Sequence, residues 1–131
     1  YVHDGVSNSI LTSFSSPSSG PSGLAFDGTN LISCDYSSDK IYVHDGVSNS
    51  ILTSFSSPSS NPKGLTFDGT NLISCDDGSD KIYVHDGVSN SILTSFSSPS
   101  PSPRGLAFDG TNLISCDNNS DTIYVHARED E

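Results

Sequence analysis

Four histidines recur along the chain at a constant spacing, and histidine is the residue type used most often for acid–base chemistry and metal binding. They are His3, His44, His85 and His126, one in each copy of a repeated unit. A metal ion needs several ligands that converge within about 2–2.6 Å. One histidine in each copy cannot supply that convergence. We therefore interpret the four as structural or surface residues and predict no metal site.

Pairs of aspartates four residues apart form a second candidate for chemistry. They lie in polar turns at Asp35…Asp39, Asp76…Asp80 and Asp117…Asp121, and these turns resemble calcium-binding loops. The full calcium-loop pattern also requires a glutamate at its twelfth position, which is missing here. Aspartate is equally the ordinary residue for capping the amides of a turn. We favour turn capping over calcium binding.

The nucleophilic residue types show no catalytic arrangement. Serines are abundant, but no G-x-S-x-G elbow occurs and no serine has a sequence-evident His/Asp partner. Cys34, Cys75 and Cys116 occupy the same position in successive units, which predicts separations beyond the ~7 Å that a disulfide allows. We interpret them as small buried hydrophobic residues. Asn118-Asn119-Ser120 is a sequon for N-glycosylation at Asn118.

All these residues lie in one 41-residue unit that is written three times. The units are 1–41, 42–82 and 83–123, followed by a partial fourth unit at 124–126 and a tail at 127–131. The chain begins inside a repeat and shows neither an initiator Met nor a signal peptide, so we expect a trimmed or processed start. Its 131 residues correspond to a single repeat domain.

Each unit predicts four short strands and no helix. Asp-Gly pairs between apolar runs predict hairpins, because Gly accepts the positive φ of the turn. The Ser/Pro-rich link at 56–62 is not expected to continue a strand. Four strands in about 40 residues are typical of a β-propeller blade, so the fold class is all-β. For one blade the predicted strands are Gly23–Phe26, Leu31–Asp35, Lys40–His44 and Ile51–Phe55.

The unit resembles the YVTN and NHL families of propeller repeats. The resemblance is carried by residues 21–28 (PSGLAFDG), 31–35 (LISCD) and 39–45 (DKIYVHD), whereas the absence of Trp excludes the WD-repeat type. It implies rings of six or seven blades that mostly bind proteins, glycans or nucleic acids, with a minority of lactonases and lyases. The lactonases would gather Glu, Asn and Asp at the ring centre. Near-identical blades without such a Glu argue against an enzyme, and we predict no cofactor.

The number of predicted strands is too small for a closed propeller ring. With strands A to D counted from the ring centre outwards, the chain runs C-D, A-B-C-D, A-B-C-D, A-B-C. Three blades are too few for a ring, which typically has four to eight. Either the chain is part of a longer array, or two copies join head to tail into six blades. Residues 1–3 and 124–126 (YVH in both) would then compete for one slot, and we expect 124–126 to take it.

The three units differ at seven positions, and six of these lie in or beside the D-to-A link and the B-to-C turn. These segments project from one rim of a propeller, here called the variable rim. The opposite rim, with the A-to-B and C-to-D turns, is identical in every copy and is called the constant rim. The differing positions are Ser19/Ser60/Pro101, Gly20/Asn61/Ser102, Ser22/Lys63/Arg104, Ala25/Thr66/Ala107, Tyr36/Asp77/Asn118, Ser37/Gly78/Asn119 and Lys40/Lys81/Thr122.

Charge and rim composition together suggest a function. A net charge of −11 with five Lys+Arg argues against nucleic-acid binding and against anionic membranes. The sequence predicts a non-catalytic binding module for an extracellular or cell-surface glycan or protein. The alternative is a structural repeat protein that only assembles with itself. Candidate ligand-binding residues on the variable rim are Ser22, Tyr36, Lys40, Lys63, Asp77, Lys81, Arg104 and Asn118.

Overall fold

The computed structural model describes residues 1–127, and the remainder of the predicted tail, 128–131, lies outside the described residues. All regular elements of the described part are strands, and none of its residues belongs to a helix suited to crossing a membrane. In chain order the strands are β1 (Val2–His3), β2 (Ile10–Thr12), β3 (Pro21–Phe26), β4 (Leu31–Asp35), β5 (Lys40–His44), β6 (Ile51–Ser56), β7 (Pro62–Phe67), β8 (Leu72–Asp76), β9 (Lys81–His85), β10 (Ile92–Ser97), β11 (Pro103–Phe108), β12 (Leu113–Asp117) and β13 (Ile123–Val125).

The strands form antiparallel sheets in the order that the repeat predicts. The β1–β2 hairpin comes first, and blade 1 (β3–β6) and blade 2 (β7–β10) each have four strands in sequence order. Blade 3 (β11–β13) has three. Equivalent residues pair in the same register in every blade, as in Cys34 with Ile41 and Cys75 with Ile82. The predicted series C-D, A-B-C-D, A-B-C-D, A-B-C is therefore confirmed strand by strand.

The Ser/Pro-rich link is shorter than predicted. Ser56 pairs with Lys40, and Pro62 pairs with Asp76, so both ends of the predicted link belong to strands. The inner strand likewise begins at Pro21 rather than Gly23. Proline is compatible with the first residue of a strand, where the missing N–H is not needed for the ladder. The prediction that residues 56–62 lie wholly outside strands was wrong at both ends.

The hydrophobic core lies between neighbouring blades. Ile32, Cys34 and Ile41 of blade 1 are fully buried and pack against Leu65 and Leu72 of blade 2. An equivalent cluster in blade 2 packs against Leu106 and Leu113 of blade 3, and its members are Ile73, Cys75 and Ile82. Because each blade is a single sheet, the side chains on either of its faces are buried only where a neighbouring blade covers them.

Glycine on the innermost strand sets how closely the blades approach. A Cβ atom on Gly23 would lie 2.8 Å from the Lys63 carbonyl oxygen of the next blade. On Gly64 it would lie 2.6 Å from the Arg104 carbonyl oxygen and 3.2 Å from the Gly105 Cα. These neighbours are backbone atoms that no side-chain rotation can move. The inner strands can therefore touch only where each carries glycine.

We expect Gly64→Ala to destabilise the fold, because the added methyl group would force blades 2 and 3 apart. Overpacking of this kind costs about 1–3 kcal/mol of unfolding free energy. The matched control is Thr66→Ala in the same strand, since the equivalent positions Ala25 and Ala107 already carry Ala. Denaturant unfolding measures both variants. Equal stabilities for the two would contradict close glycine packing.

Candidate binding surface

Hydrogen bonds fix the geometry of the variable rim. The B-to-C turn of blade 1 accepts bonds from the link that follows that blade. Asp39 O accepts from Ser57 N at 3.0 Å, and Asp39 Oδ1 accepts from Asn61 N at 2.9 Å. The same link reaches blade 2, where Asp77 N donates to Asn61 O at 3.0 Å. The links at 57–61 and 98–102 therefore each join two neighbouring turns, so the B-to-C turns of the three blades form one continuous surface.

The constant rim is held together within each blade. In blade 1, Asn30 Oδ1 accepts a hydrogen bond from Gly46 N at 2.9 Å, and Gly46 O accepts from Leu31 N at 3.0 Å. Gly28 and Gly46 have φ values of 99° and 63°, a region that favours glycine. These turn requirements explain part of the identity between copies on this side.

The aspartates of the B-to-C turns cap backbone amides. Asp35 Oδ1 accepts from Ser37 N at 2.9 Å and from Ser38 N at 3.0 Å. Asp76 Oδ1 accepts in the same way from Gly78 and Ser79. No group of three or more His, Cys, Asp or Glu side chains converges anywhere in residues 1–127. The carboxylates have the capping role that the sequence favoured.

Two pairs of candidate residues meet across blade boundaries. Lys63 Nζ of blade 2 lies 4.2 Å from the ring centroid of Tyr36 in blade 1, a cation–π contact. Arg104 of blade 3 forms an ion pair with Asp77 of blade 2, with 3.5 Å between Nη2 and Oδ2. Both contacts join position 36 of one unit to position 22 of the next. Residues at these two variable positions are therefore in contact with each other, and each pair has its own type of interaction.

The other candidate residues remain separate. Ser22 Oγ donates to Pro62 O of the next blade at 2.6 Å. Lys40 and Lys81 are exposed at the start of their strands, opposite Asp35 and Asp76 respectively. Asn118 is also exposed, and its N–H donates to Ser102 O at 3.2 Å.

Buried serine–histidine pairs are a feature that the sequence analysis missed. Ser33 Oγ lies 2.9 Å from His44 Nε2, and His44 Nδ1 lies 2.6 Å from Ser48 O. Because that carbonyl oxygen only accepts, Nδ1 carries the proton, and in the neutral imidazole Ser33 then donates to Nε2. His44 is 1% exposed, which prevents substrate contact and makes the pair structural. The signal in the sequence was a constant Ser eleven residues before each of His44, His85 and His126.

The serine–histidine pair recurs in the later blades. Ser74 lies 2.9 Å from His85 Nε2, and Ser115 lies 2.8 Å from His126 Nε2. Burial lowers the pKa of His85 and of His126 below the ordinary value of histidine. Both imidazoles are consequently favoured in their neutral form.

Two of the three cysteines have the buried position that the sequence predicted. Cys34 and Cys75 are buried, Cys116 is half-buried, and all three are free thiols. Burial raises the pKa of Cys34 to about 11 and that of Cys75 to about 12. A thiol with such a pKa is protonated at neutral pH and is therefore a poor nucleophile.

Solved structures with the same architecture are numerous, whereas no family profile and no curated protein sequence matches the chain. A glutaminyl cyclase from Myxococcus xanthus superposes with a TM-score of 0.67 at 14% identity, over 80% of this chain and 47% of that one. A chain of a mitotic checkpoint complex superposes with a TM-score of 0.62 at 20% identity, over 78% of this chain and 34% of that one. The WD40 β-propeller domain of Doa1 gives 0.62 at 14%, over 77% and 34%.

These similarities establish the fold. The chain is a partial β-propeller of about three blades and spans about half, or less, of each of these three structures. At such identities the likeness concerns architecture alone. Membership of the YVTN or NHL repeat family stays a prediction.

We expect stability to fall as the pH decreases below about 6.5, the ordinary pKa of histidine. The folded-state pKa of His85 is lower than that value, so the unfolded chain binds more protons in the interval between the two. The stability associated with neutral His85 is fully present above pH 6.5 and is lost as the pH falls towards the folded-state pKa. Urea unfolding at several pH values between 7.5 and 5.5 measures the unfolding free energy. This free energy should decrease less with falling pH in His85→Asn than in the wild type. An equal decrease in the two proteins would contradict a neutral buried His85.

Proposed function

We propose that this protein is a non-catalytic binding module that recognises a protein or a glycan through its variable rim. The observation that carries the proposal is the charge distribution. The four cationic side chains of residues 1–127 all lie on this rim, in a chain with a net charge of −11. They are Lys40, Lys63, Lys81 and Arg104.

The contacts between blades support recognition by ordering part of this surface in advance. The Tyr36 ring positions Lys63, and the Asp77 carboxylate positions Arg104. Side chains that are already ordered lose less conformational entropy when a ligand binds. Tyr36 remains 45% exposed, so an aromatic surface lies beside the cations. Tyrosine and arginine are enriched where proteins recognise one another.

The non-catalytic assignment is supported by the serine–histidine pairs. In blades 1 and 2 both histidine nitrogens contact protein groups, and the serine and histidine are buried. Exposed Asn118, in its sequon, supports a location outside the cell or at its surface. We propose this location together with the binding function.

We expect Tyr36→Ala, Lys63→Ala, Arg104→Ala and Asn118→Ala to weaken ligand binding, each by about tenfold or more, which corresponds to about 1.4 kcal/mol. Wild type is first screened against panels of acidic and neutral glycans and of secreted proteins, and affinities for hits are measured by calorimetry. Thr29→Ala on the constant rim is the control and should bind as wild type does. If the four rim variants also bind unchanged, the variable rim is not the recognition surface.

Self-assembly is the second candidate function, and it is favoured by differences in exposure between equivalent residues. Leu65 of blade 2 is 3% exposed because blade 1 covers it, whereas the equivalent Leu24 of blade 1 is 65% exposed. At the other end, Ile41 and Ile82 are fully buried, but the equivalent Ile123 is 74% exposed. The two end faces are the two halves of the interface that joins the blades inside the chain.

The open face of blade 3 carries the side chains that form the interface inside the chain. A groove of about 260 Å³ is lined there by Gly105, Leu106, Ile114, Cys116 and Ile123. Ile114, Cys116 and Ile123 are equivalent to the side chains of blade 1 that receive Leu65. A Cβ on Gly105 would meet only Cys116 Sγ, at 3.0 Å, and no backbone of a following blade. We infer that Leu24 of a second copy occupies this groove.

The link at Gly20 is consistent with the same junction. Asn61 N donates to Asp39 of the preceding blade at 2.9 Å, and Ser102 N donates to Asp80 at 3.0 Å. Gly20 N instead donates to Asp35 of its own blade, at 3.0 Å. In a two-chain ring its equivalent partner would be Asp121 of the other copy, which shares the φ of about 54° with Asp39 and Asp80.

We expect the wild-type protein to have twice the chain mass in solution and Leu24→Asp to be a folded monomer. An aspartate at position 24 is tolerated in a single chain, where the side chain is exposed, but would be buried in the junction. Leu52→Asp, which alters a residue 57% exposed on an outer strand, is the control and should keep the dimer mass. Light scattering and circular dichroism measure mass and folding. A Leu24→Asp variant that is still dimeric would contradict this junction.

A further inference from the structure

We propose that the two chains of this ring exchange a strand: β2 of each copy pairs with the open edge of β13 of the other and releases β1. The inference rests on the self-assembly described above and identifies the segment that joins the copies. It makes the blade at each junction a composite, with strands A, B and C from one chain and strand D from its partner.

Strand β2 is paired along much less of its length than identical sequence elsewhere. Residues 10–15 have the sequence ILTSFS, and so do 51–56 and 92–97, which form β6 and β10. β6 and β10 each pair with their neighbour at five positions. β2 pairs with β1 at only two, Val2 with Thr12 and His3 with Ile10. Within residues 1–127, the segment 13–15 belongs to no strand.

Strand β13 offers the complementary edge. It pairs with β12 on one side, and no described residue pairs with its other side. The equivalent strands β5 and β9 bond a D strand at that position. Transferring the register of β5 and β6 to the exchanged pair places Val125 opposite Thr12, Tyr124 opposite Ser13 and Ile123 opposite Phe14. β13 thus pairs with Thr12 at the end of β2 and with residues 13 and 14 after it, which β1 leaves unpaired.

The position of β2 in the free chain prepares the exchange. Phe14 lies against His44, with 6.2 Å between ring centroids, just as Phe55 lies against His85 at 6.1 Å. β2 therefore already stands beside blade 1 as the outer strand of a preceding blade. Between the hairpin and blade 1 is a groove of about 560 Å³, lined by residues that include Val2, Phe14, Leu24 and Val47. In the ring, strands A and B of the partner's blade 3 fill this space.

Exposed backbone gives the exchange its driving force. An unpaired strand edge presents N–H and C=O groups that favour addition of a further strand. β13 is also joined to β12 and β11, so that its pairing with β2 and the burial of Leu24 in the groove of blade 3 occur together. β1 is joined to no other sheet in the chain. β13 therefore displaces β1, because the pairing of β13 also docks blade 3, whereas the pairing of β1 docks no other strand.

Paired cysteines test the exchange directly, because residues opposite each other on antiparallel strands lie within the Cα separation that a disulfide accepts. The variant Ser13→Cys/Tyr124→Cys is oxidised at neutral pH and analysed on a non-reducing gel. We expect most chains to migrate as a covalent species of two chains with no larger species, because a closed two-chain ring has no free end. The positive control is Tyr42→Cys/Ser54→Cys, an observed pair within blade 1, which should cross-link inside one chain.

A second variant tests the release of β1. Tyr1→Cys/Ser13→Cys joins the residues that would be paired if β1 stayed on β2, and we expect little cross-linking within its chains. A wild-type dimer whose Ser13/Tyr124 variant forms no interchain bond, while the positive control does, would overturn strand exchange and leave self-assembly intact. A monomeric wild type would overturn both. A ladder of larger covalent species would overturn the closed ring.

Discussion

The contact between glycine backbones on the innermost strands is the constraint on which the structure depends. Gly23, Gly64 and Gly105 allow consecutive inner strands to touch, and this spacing brings Leu65 into the cluster of Ile32, Cys34 and Ile41. A side chain at the glycine position would hold the sheets apart and leave these residues partly hydrated. Burial of an aliphatic side chain contributes about 1.5–3 kcal/mol, so each blade depends on its neighbour for its core.

Contacts on the variable rim follow from the same spacing. Tyr36 and Lys63 belong to different blades, as do Asp77 and Arg104, and they meet because the glycine contact fixes the distance between sheets. Such partly exposed pairs contribute modestly to stability, about 1 kcal/mol or less each. Their principal effect is to hold charged groups in defined places on a surface that is otherwise acidic.

Repetition made most of the fold predictable from the sequence. The bounds of Leu31–Asp35 and Lys40–His44 were correct because Asp-Gly turns and alternating residues recur identically in each copy. The rim pairs were not predicted, because Tyr36 and Lys63 are distant in sequence and meet only through packing between blades. The sequence does contain a signal for them. Position 36 of one unit and position 22 of the next change together, from Tyr36 and Lys63 to Asp77 and Arg104. Burial of His44 and its bond to Ser33 depended on knowing which face the next blade covers.

The equivalence of the blade interfaces has an evolutionary consequence. A duplication of one 41-residue unit inserts a blade whose two faces already match both of its new neighbours, so such an array grows or shrinks by whole units without first passing through a poorly packed state. Recombination between near-identical coding segments would produce these changes readily. Positions 22 and 36 are the exception, because Lys63 and Arg104 are matched to particular neighbours. As substitutions accumulate at these two positions, each blade becomes matched to one particular neighbour, and the order of the blades becomes fixed.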